Sequence, residues 1–168
     1  LRGAKLRNAN LAGKDLRRAV LGNADLRGAD LRKTNLRGAN LSNADLRGAK
    51  LHRANLTNVD LSGADLRRTN LRDAKLNRIL LISANLSNAD LSGANLSGLF
   101  LSYANLSGAN LTLGYSGFGD YSAWLDALRE TESEVANLTR ANLEGANLTG
   151  QYLEDANLTE ANLQGANL

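Results

Sequence analysis

A leucine stands at every fifth position of this chain, without exception from Leu1 to Leu111. On an α-helix this spacing would make the leucines spiral around the axis instead of forming one apolar stripe. On a flat strand, an odd spacing would send alternate leucines to opposite faces. If the leucines share one core, the chain must therefore turn at a regular interval, once for every repeat.

The repeat unit reads A-(N/D)-L-x-x, because Ala usually stands two positions before each leucine and Asn or Asp usually stands between them. A small residue beside each leucine leaves room in a narrow tube, which a larger residue at every step would overpack. Most glycines occupy the last position of the unit, where a corner requires a permissive backbone. The pattern predicts a regularly turning chain, stacked coil on coil, with a core of Leu and Ala.

Departures from the unit recur at intervals of 20 residues or multiples of 20. The recurring sets are Val59, Ile79 and Leu99 in place of Ala; Val20, Leu80 and Phe100 in place of Asn or Asp; Arg7, Arg27, Arg47 and Arg67 after the leucine; and Asp25, Asp45 and Asp65 before it. Side chains that stack from one coil to the next would recur in this way. Four repeats per coil are thus favoured over three, with stacked coils about 4.8 Å apart.

These tandem units resemble the pentapeptide repeat family, and the match covers nearly the whole chain outside 112–136. The resemblance implies an all-β solenoid in the form of a right-handed quadrilateral β-helix with 20 residues per coil. Each repeat forms one side, four sides form a coil, and Leu and Ala point inward. We expect one domain over residues 1–168, with repeats in 1–111 and 136–168.

An interruption separates the two sets of repeats. The leucine series stops at Leu111 and restarts at Leu138, 27 residues later, where an unbroken array needs 5, so a net insertion of 22 residues is predicted. We place this insertion at 112–135. Its second part, near 121–134, is predicted to form a short helix, because Trp124 and later residues follow at helical steps.

The insertion is expected to fold back onto outward-pointing apolar residues, among them Leu80, Ile82 and Phe100. It either shields that side of the solenoid or forms a partner-binding surface together with it, and long insertions in rigid scaffolds are often functional. The candidate partner surface consists of Tyr115, Phe118, Tyr121, Trp124, Leu80 and Phe100.

The charge of the chain is separated along its length. Residues 1–80 hold 18 Lys/Arg against 7 Asp/Glu, whereas residues 81–168 hold 2 against 10. The candidate basic column consists of Arg7, Arg27, Arg47 and Arg67. A polyanion could bind there, but no aromatic residue interleaves these arginines and neighbouring Asp residues neutralise part of the column, which disfavours nucleic acid. Opposite charge at the two ends favours end-to-end self-association in a head-to-tail arrangement.

Catalytic chemistry finds little support in the sequence. His52 is the only histidine and there is no cysteine, which excludes a His/Cys metal cluster. We expect His52 to be exposed between Arg32 and Arg72, and we expect the recurring Asp residues to pair with the arginines beside them. We therefore assign no catalytic, cofactor-binding or metal-binding residue.

The sequence contains few signals of cellular location. No apolar run is long enough to cross a membrane. Without a recognisable targeting segment, the default expectation is a cytoplasmic protein. Because the chain contains no Met and begins at a repeat leucine, we expect it to be a piece of a longer protein.

The leading interpretation is a non-enzymatic scaffold or protein-interaction module with an unknown protein partner, since the chain is similar to the consensus-rich cyanobacterial members of the family. Some members mimic DNA and bind type II topoisomerases, protecting them from quinolone drugs, and this is the first alternative. That mimicry requires an acidic rod, whereas the first half of this chain is basic. Weak electrostatic binding of a polyanion by the N-terminal coils is the second alternative.

Overall fold

The computed structural model describes residues 1–94, 99–112, 136–149, 153 and 156–168. Within these ranges the chain contains neither helices nor extended strands. It alternates single-residue parallel bridges with tight turns. Every bridging residue directly precedes a repeat leucine, and up to Phe100 each bridge joins residues 20 positions apart. The 20-residue coil with four sides is therefore confirmed, while the right-handed sense of the coil stays a prediction.

Four walls run along the solenoid, and each is named by its bridging residues. Wall 1 has Lys5, Asp25, Asp45, Asp65, Asn85, Asn105, Asn142 and Asn162. Wall 2 has Asn10, Asp30, Lys50, Asn70, Asp90, Asn110, Asn147 and Asn167. Wall 3 has Asp15, Asn35, Asn55 and Lys75, and wall 4 has Val20, Asn40, Asp60, Leu80, Phe100, Asn137 and Asn157.

Backbone hydrogen bonds tie each coil to the next in a fixed pattern. On wall 1 the amide of Leu26 donates to the carbonyl of Asp45 (2.8 Å), and the amide of Asp45 donates to the carbonyl of Ala24 (2.9 Å). The same pattern repeats on the other walls. It satisfies backbone groups that would be costly to leave unpaired.

The core consists of the inward leucines and alanines. Leu46 is 0% exposed and Ala44 is 1% exposed. Val59, Ile79 and Leu99, which replace Ala on wall 4, are equally buried, as predicted. Wall 4 thus tolerates larger inward residues where several of them stack in successive coils.

The last residue of each repeat lies at a corner and adopts a left-handed backbone. Glycine and Asn fill many of these corners, for example Gly28 (φ 63°) and Asn58 (φ 58°). Both residue types adopt this conformation at low cost. Cationic residues nevertheless occupy other corners with the same geometry: Arg18, Lys33, Arg53, Arg68, Arg78 and Arg140.

The interruption shifts the ladder by a different amount from the one predicted. Phe100 pairs with Asn137, 37 residues later, so the surplus over one coil is 17 residues and the predicted 22 is wrong. The reason is that Leu138 follows Leu101 on wall 4, two repeat positions after Leu111 instead of one. The predicted helix near 121–134 lies outside the described residues.

Thr112 is the only residue of the predicted insertion 112–135 that the structure describes. Its carbonyl accepts the amide of Gly93 at 2.9 Å, so it continues the wall-2 pattern. The repeats resume with Ala136, which is buried.

Candidate interaction surfaces

The predicted basic column lies along wall 1, where Arg27, Arg47 and Arg67 form a ladder of ion pairs, while Arg7 is exposed and follows Lys5 in place of an Asp. Arg27 donates from Nε to Asp25 Oδ1 (2.8 Å) and from Nη2 to Asp25 Oδ2 (2.6 Å), which is a bidentate contact. Its Nε also lies 3.6 Å from Asp45 Oδ2 in the next coil. Arg47 and Arg67 make equivalent contacts with their own aspartates. The predicted Asp–Arg pairing is confirmed.

The ladder shifts the pKa of its carboxyl groups. The hydrogen bonds from the Arg27 guanidinium lower the pKa of Asp25 to about 2. In the same way, the guanidinium groups of Arg47 and Arg67 lower the pKa values of Asp45 and Asp65 below their ordinary range. Since these three arginines face three carboxylates, their part of the column is electrically balanced. Its role in binding a polyanion stays a prediction.

Unbalanced positive charge lies on another edge, at the corner between walls 2 and 3. The set that we call the basic ridge consists of Arg32, Lys33, Arg53 and Arg72 at the corner, with Lys50 on wall 2 and Lys75 on wall 3. All six side chains are exposed. Stacking is fixed by the backbone, because the amide of Lys33 donates to the carbonyl of His52 (3.1 Å) and that of Arg53 to the carbonyl of Arg72 (3.0 Å).

His52 lies within this edge and is less exposed than predicted. Its side chain is 29% exposed, because Nδ1 lies 3.1 Å from the carbonyl oxygen of Arg72 and 3.9 Å from Asp73 Oδ2. The same Asp73 oxygen lies 3.7 Å from Nε of Arg53 and 3.9 Å from Nε of Arg72. One carboxylate therefore faces two guanidinium groups and an imidazole, all beyond hydrogen-bond distance.

An apolar patch occupies wall 4 and the corner that follows it. It consists of Leu80, Ile82, Phe100 and Tyr103. Leu80 and Phe100 are bridging partners, which confirms their predicted stacking. Ile82 is 40% exposed, Phe100 is 43% exposed and Tyr103 is 55% exposed. These residues point outward, as predicted for Leu80, Ile82 and Phe100, whereas Tyr103 was missed because it stands alone in its repeat.

A polar cluster borders this patch at the same corner. Arg140 lies over the ring of Tyr103, 5.7 Å from its centroid, and donates to the Tyr103 hydroxyl at 3.0 Å. Arg140 also donates from Nε to Glu160 at 2.6 Å. These contacts raise the pKa of Arg140 and lower that of Glu160. The cluster therefore fixes the edge of the patch across three successive coils.

The other predicted contact residues lie outside the described residues. They are Tyr115, Phe118, Tyr121 and Trp124. Their part in a partner surface, and the end-to-end self-association, stay predictions.

Within the described ranges, no group of three or more His, Cys, Asp or Glu side chains is arranged to hold a metal ion. In the same ranges, no helix has the length and apolar character needed to span a membrane.

Comparison with known proteins places the chain in a family. The model for pentapeptide repeats matches eight copies, over residues 1–38, 34–73, 74–112 and 136–168. None of the curated proteins compared with the chain matched it.

Several solved structures are similar to the chain. HetL, a pentapeptide repeat protein involved in heterocyst differentiation regulation from the cyanobacterium Nostoc sp. strain PCC 7120, is 33% identical over 100% of this chain and 84% of its own, with a TM-score of 0.47. Rfr23 from the cyanobacterium Cyanothece 51142 is 37% identical over 54% of this chain and 58% of its own (TM-score 0.46). Trypsin-treated QnrB1, a plasmid-mediated fluoroquinolone resistance protein, shares the fold at 18% identity over 94% of this chain and 71% of its own (TM-score 0.54). The chain belongs to the pentapeptide repeat family.

Proposed function

We propose that this chain is a non-enzymatic protein-interaction module and that its apolar patch binds an apolar segment of a protein partner. The observation that carries this proposal is the exposure of Ile82, Phe100 and Tyr103 in adjacent coils, whereas Val20, an equally exposed apolar residue of wall 4, lies several coils away from them. Aromatic and aliphatic side chains grouped in this way are typical of binding sites, because burying them against a partner removes apolar area from water.

The columns that contain the patch support this proposal. Other coils place a polar residue at the bridging position of the Phe100 column, namely Asn40, Asp60, Asn137 and Asn157, while Val20 and Leu80 are apolar like Phe100. A polar residue is therefore compatible with the fold at this outward position, so packing within the solenoid does not require Phe100. Its apolar side chain needs another explanation, and a partner contact supplies one.

The backbone ladder supports the proposal in a second way. The amide of Leu81 donates to the carbonyl of Phe100 (2.9 Å), and the amide of Leu101 donates to that of Asn137 (2.8 Å). The patch is thus held on a hydrogen-bonded framework before any partner binds. Little ordering entropy remains to be lost on association, which favours affinity from a small area.

Photo-crosslinking tests the proposal directly. A benzophenone amino acid at position 100 is expected to capture a protein from extract of the source organism, whereas the same group at the Ser107 position on wall 1 captures none. The double variant Phe100→Asn with Ile82→Ser, which uses residues found in the same columns, is expected to fold normally and to lose the captured protein. Equal capture at both positions, or capture that the double variant leaves unchanged, would refute the proposal.

The topoisomerase hypothesis stays a prediction. Similarity to QnrB1 at 18% identity supports the fold alone. The basic ridge gives the first four coils a positively charged surface, whereas a DNA mimic requires an acidic one. A DNA gyrase supercoiling assay with and without a quinolone tests this alternative, since a topoisomerase modulator changes supercoiling or protects it from the drug.

A further inference from the structure

We propose that the basic ridge is a second interaction surface, separate from the apolar patch, and that it binds an extended acidic segment of a polypeptide. The ridge lies at the corner between walls 2 and 3. The patch reaches the corner between walls 4 and 1, which is diagonally opposite. The two surfaces therefore do not share side chains, and this inference does not rest on the function proposed for the patch.

Charge balance distinguishes the ridge from the predicted column. On wall 1, Arg27, Arg47 and Arg67 face three aspartates at hydrogen-bond distance. The six cationic side chains of the ridge meet only two carboxylates, Asp30 and Asp73. Asp30 is engaged by Arg32 at 2.6 Å. The ridge thus carries a surplus of four positive charges within three coils, or about 10 Å along the axis.

Asp73 leaves most of this surplus available. Its carboxylate lies 3.7 Å from Arg53 and 3.9 Å from Arg72, whereas the wall-1 pairs close to 2.6 Å. Both guanidinium side chains remain about 60% exposed. Each guanidinium group has five N–H donors. A single carboxylate shared between two guanidinium groups at these distances leaves most of those donors without a carboxylate acceptor. Additional carboxylates can therefore bind on the solvent side.

Two ridge cations occupy corners with a left-handed backbone. Lys33 (φ 56°) and Arg53 (φ 58°) occupy left-handed corners that Gly or Asn fills elsewhere in the same solenoid. An ordinary side chain in this conformation costs on the order of 1–2 kcal/mol. Arg18, Arg68, Arg78 and Arg140 adopt the same conformation outside the ridge, so the case for the ridge depends on its charge and geometry. At position 33, stability alone would favour Gly or Asn.

The chemistry of the ridge favours an acidic polypeptide over a nucleic acid. Apart from the partly buried imidazole of His52, no aromatic ring lies among the ridge residues, so unpaired bases find no Tyr, Phe or Trp on which to stack. A bidentate contact with a carboxylate is already present in the ridge, where Arg32 donates hydrogen bonds from Nε and Nη2 to Asp30. An extended acidic segment presents carboxylates on one face about every 7 Å, so two of them fit along the ridge.

Fluorescence anisotropy with a labelled polyglutamate peptide of about ten residues tests the inference, in about 50 mM salt where screening is weak. The ridge variant Lys33→Asn, Arg53→Asn and Arg72→Ser uses residues found at equivalent positions in other coils. The matched control is Arg27→Ser, Arg47→Ser and Arg67→Ser, which removes the same charge from wall 1. We expect the ridge variant to weaken binding about tenfold more than the control, since tenfold corresponds to about 1.4 kcal/mol shared among three surface contacts.

Three results would overturn the inference: no binding of the peptide by the unmodified chain, equal weakening by both triple variants, or tighter binding of a thymidine oligonucleotide that the ridge variant abolishes. The last result would identify a nucleic-acid surface instead. Far-UV circular dichroism confirms that both variants fold. The patch variant Phe100→Asn with Ile82→Ser should retain peptide binding, so failure of the ridge and failure of the proposed patch function are separate outcomes.

Discussion

Replacing a cationic corner residue by Asn should stabilise the solenoid, and Lys33→Asn is the clearest case. Lys33 has φ 56°, and five Asn residues occupy corners between φ 54° and 58°. Lysine in this conformation costs on the order of 1–2 kcal/mol, whereas Asn tolerates it because its short side chain can hydrogen-bond locally. If Asn avoids about half of that cost, the gain is roughly 0.5–1 kcal/mol.

The structure also predicts where this gain should vanish. Arg68 has φ 57°, so Arg68→Asn should stabilise the chain by a similar amount. Arg53 has φ 58° but lies 3.7 Å from Asp73, and an exposed ion pair of this kind contributes about 0–1 kcal/mol. Arg53→Asn loses that contribution, so its net effect should be close to zero.

Urea unfolding followed by far-UV circular dichroism measures these differences at neutral pH. For a chain of this size, 0.5–1 kcal/mol corresponds to a shift in Tm of about 1–4 °C. The control is Arg37→Asn, because Arg37 is exposed but lies outside the left-handed corners. We expect this control to change stability by less than about 0.5 kcal/mol. If Lys33→Asn destabilises the chain, or if Arg37→Asn stabilises it equally, the backbone cost assigned to cationic corner residues is wrong.

Three further predictions follow from the core, the ion pairs and one glycine. Leu46→Ala should lower the free energy of unfolding by about 3–5 kcal/mol, because its site is fully enclosed and cannot collapse, and a loss below about 1 kcal/mol in urea unfolding would contradict this. The pKa of Asp25, lowered to about 2, lies below its value in the unfolded chain. The stability that the ionised carboxylate contributes should therefore be fully present above about pH 4 and be lost as the pH falls towards 2. Urea midpoints measured across this range should fall less steeply for Asp25→Asn than for the unmodified chain. Gly93→Ala should destabilise the chain by more than about 1 kcal/mol, since φ is 77° and a Cβ there would collide with Asp73 Oδ1. Thermal unfolding of Gly93→Ala in the Asp73→Gly background isolates the collision, because only the backbone cost then remains.

Much of the fold could be predicted from the sequence, because departures from the repeat unit report which side chains stack. Leu80 and Phe100 recur at 20 residues and are bridging partners, and the arginine that follows each Asp by two residues is its ion-pair partner. The register across the interruption could not be predicted. All four walls use the same A-(N/D)-L-x-x unit. The sequence around Leu138 therefore shows that the repeats resume there, but it does not show on which of the four walls they resume.

The surplus of charge at the basic ridge was also missed, and for a different reason. The search for a basic surface followed arginines in one column and selected Arg27 and its neighbours, whose pairing with Asp residues balances them. Lys33 and Arg53 occupy the last position of their repeats, Arg72 follows its leucine directly, and the three meet only at a corner. The signal that could have found them is the position of cations that lack an Asp two residues earlier.

The uniform core of this solenoid implies that its specificity resides in outward departures from the repeat. Leu and Ala recur on all four walls, and the interior differs mainly on wall 4, where Val59, Ile79 and Leu99 replace Ala. The apolar patch and the basic ridge break the outward pattern at diagonally opposite corners, on a framework that joins each coil only to its neighbours. Groups separated in this way contribute independently to stability and binding. In the polyglutamate assay, the patch variant combined with the ridge variant should therefore bind no more weakly than the ridge variant alone, and a coupling energy above about 0.5 kcal/mol would mean that the two surfaces form a single site.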